Sequence, residues 1–94
     1  MSYVLEFSDH AVEDIDMHKK AGDQSVLKKL QQLLYELQEH PMTGTGQPER
    51  LKYDLAGLFS RRINSKHRLV YSINDALETV YIVSAWAHYG DKKN

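Results

Sequence analysis

The hydrophobic positions between Val26 and Leu37 recur at a spacing that only a helix brings together. Val26, Leu27, Leu30, Leu33, Leu34 and Leu37 fall at i, i+1, i+4, i+7, i+8 and i+11, a broad stripe of period 3.6. Asp23 can cap the first turn and Pro41 stops the far end, so the pattern predicts a rod of about sixteen residues, about 24 Å long. An earlier helix is predicted from Ser8 or Asp9 to about Ala21, ended by Gly22. Its acidic first turns (Asp9, Glu13, Asp14) and later Lys19 and Lys20 complement the helix dipole. The apolar side of this first helix is thin, chiefly Val12 and Ile15 with Met17 nearby. His10 and His18 are expected to be solvated surface residues.

The remaining periodicity is that of strands. Tyr3–Phe7 alternates and carries β-branched and aromatic residues. Residues 41–48 form a loop by composition; Gly44 and Gly46 lack a following Lys-Ser/Thr at phosphate-loop spacing and read as turn formers. Leu58–Ile63 and His67–Asn74 are predicted to pair as a hairpin through Asn64-Ser65-Lys66. Thr79–His88 has the β-branched and aromatic content of a central strand, with Trp86 expected in the core. The order β-α-α-β-β-β specifies an α+β domain: two N-terminal helices packed on one face of a mainly antiparallel four-stranded sheet.

Length adds that 94 residues make a single domain, 1–94, with 90–94 expected as a short flexible tail. The absence of cysteine removes disulfides, thiolate metal sites and a thiol nucleophile. The N-terminus lacks a basic n-region, and no apolar run approaches the ~20 residues that span a bilayer. A soluble, cytoplasmic protein without a membrane partner is expected. The net charge of −1 argues against indiscriminate binding to nucleic acid, but its distribution is uneven. Residues 1–40 hold eight acids against four bases (−4); residues 41–94 hold five acids against eight bases (+3). Six of those bases (Arg50, Lys52, Arg61, Arg62, Lys66, Arg68) lie between 49 and 68, against Glu49 and Asp54. Such a half can face phosphates, and it can equally be a solvated strand edge.

Generic motifs for metal or cofactor chemistry are absent. The five histidines form no H-E-x-x-H pair, and there is neither a G-x-S-x-G elbow nor a dinucleotide fingerprint. No cofactor and no metal is expected. What stands out is a crowding of polar groups at strand ends: Arg61-Arg62, His67-Arg68, Glu49 just ahead of them, and His88-Tyr89 at the end of the last strand. Like charges across a ladder repel, so an anion between them would relieve the strain. A carboxylate, an imidazole and guanidinium groups suffice to break RNA without metal, by taking the 2′-hydroxyl proton, steadying a phosphorane and protonating the 5′-oxygen. Surface salt bridges account for the same residues from spacing alone.

The strings themselves carry a resemblance. Gly44-Thr45-Gly46-Gln47-Pro48-Glu49-Arg50-Leu51-Lys52, then Leu55-Ala56-Gly57-Leu58-Phe59-Ser60-Arg61-Arg62-Ile63, His67-Arg68-Leu69-Val70-Tyr71 and finally His88-Tyr89 resemble, in order and spacing, the Txe/YoeB family of the RelE/ParE toxin superfamily. The resemblance covers nearly the whole chain to Tyr89. It implies a compact microbial-RNase-like fold and the toxin half of a type II toxin–antitoxin pair, an endoribonuclease that cuts mRNA in the ribosomal A site. It implies Glu49 as general base, His88 as general acid and Arg68 as the transition-state arginine. Arg62 and Lys52 are implied as phosphate contacts and Tyr89 as the aromatic beside the acid; Arg61 joins the candidate substrate-binding set. The implied partners are a cognate antitoxin docking through its C-terminal segment, the ribosome, mRNA and a second copy of the chain in a homodimer. Two alternatives stand beside this: a non-catalytic inhibitor of DNA gyrase on the same scaffold, and an inactivated toxin kept as an interaction module. Joint possession of Glu49, Arg68 and His88 separates the nuclease from the gyrase inhibitor, which needs none of them; an inactivated toxin would carry the same residues, since activity depends on sub-ångström placement. The chain departs from the family in its pI near 6.5, where family toxins are basic, and in the five residues after Tyr89.

Overall fold

The computed structural model describes residues 2–46 and 48–87. Within them the chain forms β1 (Val4–Phe7), α1 (Asp9–Ala21), α2 (Gln24–Glu39), β2 (Glu49–Arg50), β3 (Phe59–Arg62), β4 (Arg68–Asn74) and β5 (Thr79–Ser84). Both helices start where the caps predict. Ser8 Oγ accepts from the Ala11 N–H, and Asp23 Oδ1 accepts from the Ser25 and Val26 N–H groups. Gly22 closes α1 at φ +74, a left-handed position where a side chain is disfavoured, and donates its N–H to the His18 carbonyl.

The sheet has the order β1-β5-β4-β3-β2; β1 runs parallel to β5 and every other pair is antiparallel. The α+β class and the mainly antiparallel sheet stand as expected, but among the described residues the sheet has five strands. The additional strand is Glu49–Arg50, pairing Glu49 with Ser60 and Arg50 with Phe59. Two residues carry no readable alternation, so only the partner strand reveals them. β5 lies inside the sheet as its composition predicts, but it ends at Ser84. His88, Tyr89 and the segment 90–94 lie outside the described residues. Among the described residues, no helix is long and apolar enough to cross a membrane.

The core lies between α2 and the middle of the sheet. Val26, Leu30, Leu33 and Leu37 meet Leu69 and Tyr71 of β4 and Val80 and Ile82 of β5, all buried. The helix α1 does not bury the side its apolar residues suggest. Val12 is 55% and Met17 41% exposed, and only Ile15 packs partly on the core. The buried stripe is Ala11, Asp14 and His18, at i, i+3 and i+7. His18 is therefore not a surface residue, whereas His10 is exposed and sits 3.4 Å from Asp14.

Alternation then assigns the two faces of the β2–β3–β4 end. Phe59 and Arg61 pair with Tyr71 and Leu69, and this set points to the helices. Ser60 and Arg62 pair with Val70 and Arg68, and Glu49 pairs with Ser60; this set occupies the opposite face.

Candidate nucleic-acid site

Glu49, Arg62 and Arg68 share the face of the sheet turned away from the helices. Arg62 and Arg68 are direct cross-strand partners, and Glu49 is opposite Ser60, the residue two before Arg62 on the same face. Neighbouring strands are about 4.8 Å apart, so the carboxylate-bearing strand stands about 10 Å across the sheet from the strand of Arg68. Glu49 and Arg62 are exposed and Arg68 is half-buried. Arg68 is braced as well as charged: its Nη1 donates to the Asn64 carbonyl at 2.9 Å and to that of His67 at 3.3 Å. Asn64 in turn closes the β3–β4 turn, its Oδ1 accepting from the Lys66 and His67 N–H groups. Lys52, exposed, follows β2 and opens a short 3₁₀ turn, Tyr53–Leu55. Tyr53 has φ +60 and is 90% exposed, a strained backbone position beside this face.

Arg61 does not belong to this face. It has no exposed surface, and its guanidinium is spent inside the molecule. Nε donates to the Tyr71 hydroxyl, Nη1 to Glu36 Oε1 at 3.0 Å, and Nη2 to the carbonyls of His40, Pro41 and Thr43. The expectation that Arg61 contacts substrate is corrected: adjacent strand residues point to opposite faces, so Arg61 and Arg62 cannot both face one phosphate. The role it has instead is to anchor the loop that delivers Glu49. Glu36 accepts from the Thr45 N–H and hydroxyl as well as from Arg61. Burial alone would raise the Glu36 pKa, but the Thr45 and Gln32 hydrogen bonds and the Arg61 charge outweigh it and hold it below its ordinary value. Burial likewise raises the Tyr71 hydroxyl, against a smaller lowering by Arg61.

This network explains the two glycines better than a turn does. A Cβ on Gly44 would come within 2.6 Å of Arg61 Nη1 and Glu36 Oε1; on Gly46 it would stand 2.9 Å from the Arg62 carbonyl and 3.0 Å from Leu33 Cδ2. The loop backbone lies directly on the Arg61–Glu36 pair and on α2, which leaves no room for side chains.

A second polar cluster, unforeseen from sequence, lies where β5 ends. Asp14 Oδ2 accepts from the Ala85 N–H at 2.8 Å, and His18 Nε2 bonds the Ala85 carbonyl at 2.7 Å. His67 Nδ1 accepts from the Ala87 N–H at 2.8 Å, and the Ala87 carbonyl accepts from the Arg68 N–H. The rings of His18, His67 and Trp86 are mutually packed, with centroids 4.4 to 4.7 Å apart. Trp86 is half-buried against these imidazoles and not among the aliphatic core. The available signal was the i, i+4 spacing of Asp14 and His18, which puts both on one side of α1 with Ala11. Among the described residues, no group of three or more His, Asp or Glu could hold a metal ion.

Comparison with known proteins agrees with this architecture. The family model for the YoeB-like toxin of bacterial type II toxin–antitoxin systems matches residues 7–89. The toxin YoeB of Streptomyces coelicolor is 40% identical over 85 residues, covering 90% of this chain and 98% of its own; that of Escherichia coli K12 is 39% identical over 67 residues, 71% and 77%. Among solved structures, a YoeB/ParE toxin from Agrobacterium tumefaciens superposes with a TM-score of 0.84 at 29% identity, covering 92% of this chain and 99% of that one. The YoeB dimer from Staphylococcus aureus gives 0.80 at 37% identity, covering 95% and 100%. YoeB from the same organism is also seen in a heterotetrameric YoeB–YefM toxin–antitoxin complex. The chain belongs to the YoeB-like toxin family of bacterial type II toxin–antitoxin systems.

Proposed function

We propose that this toxin is an mRNA endoribonuclease that works on the translating ribosome in the cytoplasm, without metal. The observation that supports it most is the common placement of Glu49, Arg62 and Arg68 on the sheet face turned away from the helices, with Lys52 exposed two residues after β2. In the proposed reaction Glu49 takes the proton of a ribose 2′-hydroxyl and the 2′-oxygen attacks the adjacent phosphorus. Arg68, with Arg62 and Lys52, holds the charge of the phosphorane. His88, the residue that follows the described segment, protonates the departing 5′-oxygen, and Tyr89, next in sequence, is assigned to substrate binding. The products are a 2′,3′-cyclic phosphate and a 5′-hydroxyl. The ribosome requirement follows from charge: a chain at −1 gains little long-range attraction to free RNA. A programmed A site would supply a splayed, oriented codon, and orientation of that kind is worth several kcal/mol of barrier. By analogy with the staphylococcal complex and dimer, an antitoxin and a second copy of the chain are the expected protein partners.

The test is induction of the toxin in cells followed by mapping of mRNA 5′ ends, with Glu49→Gln as control. The reading expects cuts inside translated codons, bearing 5′-hydroxyls and absent from the control. Growth arrest without such cuts would refute it and point to a binding target such as gyrase. A parallel comparison of one mRNA, free and in a programmed 70S complex, decides the ribosome requirement, because equal rates would remove it.

A further inference from the structure

Where β5 ends, sheet pairing no longer supplies partners for the backbone, and side chains take over. Four polar contacts hold three consecutive residues. Asp14 and His18, one turn apart on α1, take the N–H and C=O of Ala85. His67 and the backbone N–H of Arg68 take the N–H and C=O of Ala87. Asp14, His18 and His67 are all buried, so these are not incidental surface contacts. The clamp also holds a strained conformation, since Ala87 has φ +66, which a residue with a Cβ disfavours. The next residue in the chain is His88.

We propose that Asp14, His18 and His67 are positioning residues that fix Ala85–Ala87, the residues directly before the proposed general acid His88 in the chain. The inference rests on the ribonuclease reading for its catalytic consequence, but the clamp itself can be measured without any cleavage.

The protonation states follow from the partners. The Ala85 carbonyl can only accept, so His18 carries a proton on Nε2. The Ala87 N–H can only donate, so His67 Nδ1 must be unprotonated and the ring neutral. Protonating His67 would put N–H against N–H and release Ala87. The charged and titratable groups around His67 are His18 and Asp14 on α1 and Lys66 and Arg68 beside it in sequence; His10 reaches Asp14 from the solvent side. Burial, then the nearby His18 and Lys66, hold His67 below its ordinary pKa, against a smaller opposite effect of Asp14. The surroundings thus keep His67 neutral, the state the clamp requires, near neutral pH.

The decisive comparison is His67→Leu against His67→Asn, with wild type titrated alongside. Asn places an amide oxygen that can accept from Ala87 and does not ionise; Leu offers no acceptor. Amide hydrogen-exchange protection at Ala85 and Ala87 is read by NMR, and kcat and KM are read on programmed 70S complexes. In wild type, Ala87 protection is expected to fall as the pH drops below the ordinary histidine range, while Asn abolishes that fall. The Leu variant is expected to lose Ala87 protection and about 10²-fold in kcat with KM within about twofold, the scale of a misplaced catalytic group; Asn is expected to restore both. Wild-type protection of Ala87 that ignores pH would overturn the clamp even if the Leu variant does not fold. Lost protection with unchanged kcat would overturn its catalytic consequence. Failure of wild type to cut mRNA at all would remove the ribonuclease reading, and the exchange data would still decide the clamp.

Discussion

Replacing Arg61 by Met should cost a large share of the stability that a small domain of this kind can spare. Arg61 holds Glu36 at 3.0 Å, the Tyr71 hydroxyl and three carbonyls of the 40–43 segment, with no solvent contact of its own. Met fills the stem but returns none of these bonds. Glu36 is 12% exposed and keeps its Thr45 bonds, so its charge is only partly stranded. The buried Pro41 carbonyl and Tyr71 hydroxyl lose their Arg61 bonds, at about 1–3 kcal/mol each. The two losses sum to about 2–6 kcal/mol, centred on the about 3–5 kcal/mol for breaking one side of a buried ion pair, against about 5–14 kcal/mol in total for 94 residues. Urea unfolding measures it: at a slope of roughly 1–1.5 kcal/mol/M, a loss of 3 kcal/mol moves the midpoint by roughly 2–3 M. Arg61→Lys should lose about half as much, since an ammonium can reach Glu36 but cannot also serve Tyr71 and the carbonyls. A loss below about 1 kcal/mol for the Met variant, or a Lys variant of normal stability that no longer cleaves mRNA, would refute the reasoning and return Arg61 to the substrate.

Leu33→Ala, at a fully buried position of the stripe, should cost about 2–5 kcal/mol, and an unchanged melting curve would mean that the buried face of α2 is wrong. Gly46→Ala should cost clearly more than Gly22→Ala: both glycines have positive φ, but only Gly46 would drive its Cβ onto the Arg62 carbonyl, and equal losses of about 1 kcal/mol would show that the loop yields. Glu36 has its folded pKa lowered, so the stability it contributes is full above its unfolded value and is lost as pH falls through the folded value. Unfolding midpoints from pH 7 to pH 3 should therefore fall less steeply in Glu36→Gln than in wild type. His67, also lowered, contributes stability that is full above the ordinary histidine pKa and lost as pH falls through its folded value; His67→Asn should flatten that part of the profile.

The parts of the fold that were legible are those built on repetition. The leucine stripe, its Asp23 cap and the alternating hairpin strands each present one signal many times over, and α2, β3 and β4 appear where that signal lies. The parts that were not legible depend on single partners. Glu49–Arg50 becomes a strand only because Ser60 and Phe59 are opposite. The inner side of α1 is set by the need of Ala85 for a donor and an acceptor, which Asp14 and His18 meet and Val12 and Met17 cannot. At the candidate site, Glu49, Lys52, Arg62 and Arg68 could be named from the strings in which they occur, but their faces could not be read from those strings. Arg61 shows why. Its parity with Phe59 placed it on the helix side, yet a buried arginine is rare enough that two neighbouring guanidiniums read first as one basic patch.

The leucine stripe and the two buried polar networks divide the work between cohesion and position. Apolar packing of α2 on the sheet is non-directional, so it can hold the layers together while leaving the loops at either end free to shift. Hydrogen bonds to buried charged and aromatic groups depend strongly on distance and angle. One network fixes Thr43 and Thr45 through Arg61 and Glu36, a few residues ahead of Glu49. The other fixes Ala85 and Ala87 through Asp14, His18 and His67, just before His88. Between them Arg68 takes part in both the β3–β4 turn and the Ala87 contact. On the proposed ribonuclease reading, an acid and a base would approach one phosphate from these separate chain segments and would have to be held to within about half an ångström. In a 94-residue domain with no disulfide, buried hydrogen bonds supply that tolerance, and their desolvation is a cost that a purely apolar interior would not carry.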